Sequence, residues 1–143
     1  MKVLVACEES QSVCVAFREK GHEAYSCDIQ ECSGGHPEWH IRGDVLPLLN
    51  GFCSFKTQNM SENDEPIWLL QKWDLIIAHP PCTYLTIAGA CNIPKHPERI
   101  ELGFEAVRFF EKFLNADCEH ICIENPPPMK RFSLPLCSQI IQP

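Results

Sequence analysis

The chain opens on a run with almost no polarity, "KVLVA" (2–6). A short continuous apolar run, rather than an alternating one, is the pattern of a parallel strand buried on both faces. "CEESQS" then turns the chain, with Ser10 or Ser12 able to cap a helix. Val13, Ala16 and Phe17 recur at helical spacing, and Gly21 sits where a helix C-terminus is usually terminated. "EAYSCDI" (23–29) predicts a second strand ending on Asp28, and after the turn-rich "QECSGGHPEWH" comes "IRGDV" (41–45), a short strand or strand end carrying Asp44. Residues 50–66 are polar and poorly periodic, which predicts an exposed excursion. "WDLIIAH" (73–79) is the clearest strand of the chain. From Pro97 to about Asn115 the pattern is helical, with Ile100, Phe104, Val107, Phe110 and Leu114 as one apolar stripe. "HICIENPPP" (120–128) is a further buried strand, running into an acid, an asparagine and prolines.

Strands that alternate with helices predict an α/β fold of one domain, a doubly wound, mostly parallel sheet with right-handed crossovers. The first strand should be central, flanked by the strands near 23–29 and 73–79. Ligands of such sheets bind beyond the carboxyl ends of the strands. Glu8, Asp28, Asp44, Cys82 and Glu124 all fall at those ends, which is the main reason to expect a site there.

Composition changes this picture little. An apolar share of 45% and a charged share of 22% over 143 residues are ordinary for a globular domain with a real core. No run approaches the ~18 apolar residues of a membrane span, and the apolar stretch at the N-terminus is too short for a signal peptide. A cytoplasmic protein without a membrane partner is expected. Of the ten cysteines, Cys7, Cys14, Cys27 and Cys122 lie in strand-like and helix-like contexts and read as small core residues. Cys32, His36 and His40 are spaced like metal ligands, but no fourth ligand is evident and no metal is expected. The net charge of −7 argues against a free-standing, tight nucleic-acid binder. It leaves room for an enzyme that acts on nucleic acid with help from another segment or partner.

The candidate chemistry sits at the strand ends. An acid placed like Asp28, after the second strand, commonly accepts hydrogen bonds from ribose hydroxyls. It can equally cap a helix or face solvent. No G-x-G-x-x-G turn is present, which argues against NAD and FAD. S-adenosylmethionine has a ribose and adenine but no phosphate, and it fits. Cys82 leaves a strand end in a rigid Pro-Pro turn, with His79 close enough in sequence to favour the thiolate when protonated; the alternative is a buried, inert thiol. Glu124-Asn125 ends the next strand and could lie beside Cys82, as a proton donor of raised pKa or as a salt-bridged strand end. Lys95, His96, Arg99, Lys130 and Arg131 flank these two loops and make the one local basic bias of an acidic chain.

Taken together, these motifs resemble the catalytic domain of S-adenosylmethionine-dependent cytosine-5 DNA methyltransferases, in the short, divergent form of phages and prophages. "VLVACEESQSVCVAF" stands where the family's first cofactor motif stands, which assigns Cys7, Glu8 and Ser10 to the cofactor. "SCDI" matches the acid at the cofactor ribose, with Asp28 and Ile29, and "GDV" the acid near the adenine, with Asp44 and Val45. "HPPC" matches the Pro-Cys motif, with Pro80 against the cofactor and Cys82 as nucleophile; "IENPP" matches the motif in which Glu124 and Asn125 engage the target base. The resemblance implies a Rossmann-like class I methyltransferase core, DNA as substrate with its cytosine flipped out of the helix, and covalent catalysis. Cys82 would attack carbon 6 of the ring, Glu124 would hydrogen-bond the ring nitrogen, and the methyl group would pass to carbon 5.

Three departures accompany it. Glu8-Glu9-Ser10-Gln11 replaces the glycine-rich first turn, the later arginine motif and target-recognition region have no counterpart, and the chain stops at "SQIIQP" where further strands are expected. A fragment of a longer protein, or a partner chain that supplies target recognition, is the expectation. Two rival readings follow from the same residues. One is an exocyclic-amino DNA methyltransferase that uses the Pro-Pro turn and Tyr84. The other is a non-catalytic domain that binds cofactor or a partner.

Overall fold

The computed structural model describes residues 1–141; the last two residues of "SQIIQP", on which the expectation of an incomplete sheet partly falls, lie outside them. Five strands, β1 (Lys2–Ala6), β2 (Glu23–Asp28), β3 (His40–Arg42), β6 (Leu75–Ala78) and β7 (Ile121–Ile123), form a parallel sheet in the order β3-β2-β1-β6-β7. The expected central strand is central: Val3 pairs with Ala24 on one side and Leu75 on the other, both parallel.

Period-2 alternation sends the side chains of β1 into two different cores. Val3 and Val5 pack with Cys14 of helix α1 (Ser12–Glu19) and with Ala24. Leu4 and Ala6 face the other way, in the larger core that holds Cys27, Ile76, Ala78 and Phe113 of helix α2 (Arg99–Leu114). A helix on each face and strands running both ways from β1 make the protein α/β with a parallel sheet, consistent with a Rossmann-like fold. Among the described residues no helix is long and apolar enough to cross a membrane.

Four expectations change. Residues 50–66 are not wholly an exposed excursion. Strand β4 (Cys53–Phe55) pairs antiparallel with β5 (Ile67–Leu69), and buries Phe55 and Leu69 in the larger core. Phe55 meets Tyr25 edge-on at 5.0 Å and lies near Trp73, whose Nε1 donates to the Leu48 carbonyl at 2.7 Å. Three-residue strands are too short to display a period, so burial here is decided by tertiary contact.

The stripe of α2 is rotated from the expected one. Gly103, Phe110 and Phe113 are its buried positions, while Phe104 and Leu114 are about two-fifths exposed. Gly103 sets the rotation: a Cβ there would lie 2.1 Å from Cζ of Phe132, so the ring occupies the space a side chain would take. Cys122 is exposed rather than buried. It lies on β7, the edge strand, opposite Ile77 and on the α1 side of the sheet, away from α2. Finally, the main cap of α1 is not a serine but Glu8; Ser10 contributes only a long contact, its hydroxyl accepting from the Ser12 N–H at 3.5 Å.

Candidate functional site

After β1 the chain turns through Cys7, whose φ of 59° is left-handed and whose N–H donates to the Cys27 carbonyl at 2.8 Å. Glu8 is 6% exposed, and its carboxylate accepts from the N–H groups of Val13 at 2.6 Å and Cys14 at 3.2 Å. Two orphan donors at a helix N-terminus are thereby satisfied by one buried acid, which also opposes the positive end of the helix dipole. A first turn without glycines is held by this carboxylate instead.

The loop after β2 is fastened to that turn. The buried Gln11 side chain donates to the His36 carbonyl at 2.8 Å and accepts from the His36 N–H at 3.0 Å. Gly34 passes so close that a Cβ would sit 2.4 Å from the Ser10 carbonyl oxygen. His40, fully buried, has Nε2 2.9 Å from the Gln30 carbonyl and Nδ1 2.9 Å from the Ser26 hydroxyl. A carbonyl only accepts, so Nε2 carries a proton and donates to Gln30. Both ring nitrogens are engaged, and His36 is stacked on Trp39 at 4.1 Å. The spaced Cys32, His36 and His40 therefore form no ligand cluster, and among the described residues no group of His, Cys, Asp and Glu suits a metal.

Two cavities open at the carboxyl end of the sheet, with Cys7 in the wall of both. One, of about 250 Å³, is lined by Cys7, Asp28, Ile29, Asp44, Val45, Pro81 and Phe109, among others. The other, of about 320 Å³, is lined by Glu8, Glu9, Ser10, Ser12, Val13 and His79 beside Cys7. Asp28 Oδ1 accepts the Gln30 N–H at 2.9 Å, and Asp44 Oδ1 the Leu46 N–H at 3.0 Å. Each acid is fixed by its own turn and keeps a second oxygen that, among the described residues, has no donor. Burial, and then the charges of Asp28 and Asp44, push the Cys7 thiol up to about 12. Burial is also the main reason Cys27 is pushed up to about 12 and Cys14 to about 11. Thiols so disfavoured as thiolates are inert.

The residues assigned to the base lie elsewhere. Cys82 is half-buried in a tight turn, its carbonyl accepting from Leu85 at 2.9 Å and Thr86 at 3.2 Å. The N–H of the exposed Glu124 donates to Ala78 at 3.0 Å, which sets the end of β7 against the end of β6. Asn125 donates to Pro126 at 2.6 Å, and among the described residues its buried Oδ1 has no partner. The loops that carry Cys82 and Glu124 are laced together by a Thr86–Pro128 bridge and by the Met129 N–H on the Leu85 carbonyl at 2.7 Å.

Every expected cofactor residue but one thus lines one of the two cavities. Pro80 is buried beneath the turn, and its neighbour Pro81 forms the wall instead. Cys82, Glu124 and Asn125 share the adjacent rim but line neither cavity. Sequence reasoning missed Phe109, which lay off the expected stripe, and the Gln11 and His40 anchors, for which the sequence carries no signal. Compared with protein-family models, with curated proteins and with solved structures, the chain matches none.

Proposed function

We propose that the protein is a methyltransferase with a Rossmann-like class I core that uses S-adenosylmethionine to methylate carbon 5 of cytosine in DNA. The observation that carries the reading is continuity at the rim: Pro81 walls the cavity that holds Asp28 and Asp44, and the next residue is Cys82. The donor set fits the cofactor. Asp28 offers an ionised acceptor to ribose hydroxyls, a charge-assisted arrangement, and Asp44 offers one near the adenine. Ile29, Val45 and Phe109 supply apolar surface for a ring. Bound there, S-adenosylmethionine would supply a methyl group activated for transfer, its sulfonium leaving as a neutral thioether.

The chain's own residues supply the nucleophile and the contact that stabilises the base. The Cys82 thiolate forms a bond to carbon 6 of cytosine, and the ring electrons move toward carbon 5. Glu124 hydrogen-bonds the ring nitrogen and stabilises the charge that develops. Once carbon 5 carries the methyl group, loss of its proton to a base restores the ring double bond and expels the Cys82 sulfur.

A second reading, a domain that binds cofactor without chemistry, is favoured by one observation: Cys82 and Glu124 line neither cavity. Calorimetric titration with S-adenosylmethionine, followed by nucleoside analysis of DNA incubated with both, separates the readings. Binding together with 5-methylcytosine is expected. Methylated amino groups on cytosine or adenine would point to the exocyclic-amino rival, and binding without any methylated base to the non-catalytic one.

A further inference from the structure

The chain has 19 acidic residues, and none falls between Asp74 and Glu98 or after Glu124. Those two acid-free stretches carry Lys95, Lys130 and Arg131 and are distant in sequence. The fold brings them together. Besides the Thr86–Pro128 bridge, Leu85 and Ile93 of the first pack with Met129, Phe132 and Leu134 of the second around one small core. Arg99, at the start of α2, joins them: its guanidinium donates to the Thr83 carbonyl at 2.9 Å and lies 4.7 Å from the centre of the Tyr84 ring. Lys95, Lys130 and Arg131 are exposed, and among the described residues neither they nor Arg99 has a carboxylate within salt-bridge distance. The nearest acids in sequence bound the shelf rather than occupy it. Glu98 is paired with His96 at 3.2 Å, and Glu124 is itself assigned to the base.

We infer that this acid-free shelf, formed by residues 82–97 and 125–134, is the surface on which the phosphodiester backbone of a nucleic-acid strand docks, with Lys95, Lys130 and Arg131 on its phosphates. The inference rests on the proposed function for the orientation of the strand, since the shelf carries Cys82 and borders Glu124. Charge complementarity selects the partner. A chain of net charge −7 repels a polyanion over most of its surface, and lysines and arginines without acid partners are free to displace counterions from phosphates. Arg99 over Tyr84 gives the shelf a planar, cationic floor of the kind on which an unpaired base stacks.

Fluorescence anisotropy of a labelled, cytosine-containing oligonucleotide, without cofactor, tests the surface directly. The combined variant Lys95→Gln, Lys130→Gln, Arg131→Gln should bind more weakly, and its plot of log affinity against log salt should be shallower by about one unit per residue removed. Lys20→Gln with Lys112→Gln removes two positive charges off the shelf, against three on it, and should leave the salt slope within error of the parent. Parent protein that shows no salt-dependent binding, a shelf variant that keeps the parent's slope, or a control that loses as much per charge, would each overturn the inference. Calorimetry with S-adenosylmethionine on the same proteins keeps the two proposals apart. A shelf variant that loses oligonucleotide but still binds cofactor supports the surface; parent protein that binds oligonucleotide but no cofactor would sink the methyltransferase reading and leave the surface standing.

Discussion

The two halves of the sheet's carboxyl rim are built differently. Over β1, β2 and β3 the turns are locked: Glu8 caps α1, Gln11 fastens the His36 backbone, and buried His40 holds the Gln30 carbonyl. Over β6 and β7 the loops are proline-rich and open, Glu124 is exposed, Cys82 is half-buried, and Asn125 Oδ1 is a buried acceptor without a donor among the described residues. The first half is a preformed cavity with fixed acids. The second is a pair of laced loops with unspent polar groups. On the proposed function, in which a small cofactor is held and a base swung out of DNA is admitted, such a division has a physical reason. The cofactor half can be organised in advance, whereas the base half has to stay accessible until the strand arrives.

Substitutions on either side sharpen that contrast. The largest effect is expected at Cys82: Cys82→Ser should lower methyl transfer at least ~10³-fold, as loss of a nucleophile does, while S-adenosylmethionine binds as to the parent in calorimetry. A serine variant that keeps its rate would shift the account to amino-group chemistry. Asp28→Ala should show the reverse pattern. Loss of a charge-assisted hydrogen bond of about 1.5–3 kcal/mol weakens cofactor binding roughly ten- to a hundredfold, with oligonucleotide binding unchanged. Unaltered cofactor affinity would detach Asp28 from the ribose.

Two further changes probe the scaffold beneath each half. Gly103→Ala drives a methyl group against the Phe132 ring under the base half. Overpacking of this kind costs about 1–3 kcal/mol in urea unfolding, less what alanine returns in helix propensity. The smallest effect is expected at Cys27. Truncation to alanine removes one buried sulfur, a loss of ~1 kcal/mol at neutral pH. It should also change the pH profile. Cys7 and Cys27 are raised from 9.0 in the exposed chain to about 12 in the folded one. The native state therefore holds its thiol protons where the unfolded state has released them, and stability falls as pH rises from about 9 toward 12. Urea midpoints across that range should fall less steeply for Cys27→Ala than for the parent; parallel curves would mean the Cys27 thiol is not shielded.

Legibility in the sequence also follows the division. Runs such as "KVLVA" and "LIIA" pack on both faces of the sheet, so composition alone predicts them as parallel strands, and Glu8, Asp28 and Asp44, which sit beyond strand ends, line the two cavities. What was not legible depends on neighbours. Phe55 and Leu69 are core only because β4 and β5 pair. The stripe of α2 is set by Phe132, nearly thirty residues after Gly103, and Cys122 is exposed because β7 is an edge. The Glu8 cap was hidden because the serines beside it are the usual capping types, while the buried glutamate reaches two N–H groups at once and leaves Ser10 only a long contact to a third. Strand ends mark where chemistry gathers, but how far apart its parts stand is a property of the loops.

The central claim is that Cys82 bonds to a cytosine while the adjacent cavity holds the methyl donor. Its most direct test is mass spectrometry of the protein after incubation with S-adenosylmethionine and an oligonucleotide bearing 5-fluorocytosine, whose fluorine prevents the proton loss that would release the sulfur. The account predicts a species that survives denaturation, with the mass of chain, oligonucleotide and one methyl group, and peptide mapping that places the adduct on Cys82. A protein that binds cofactor and oligonucleotide yet forms no such species, or forms it on another cysteine, would contradict it.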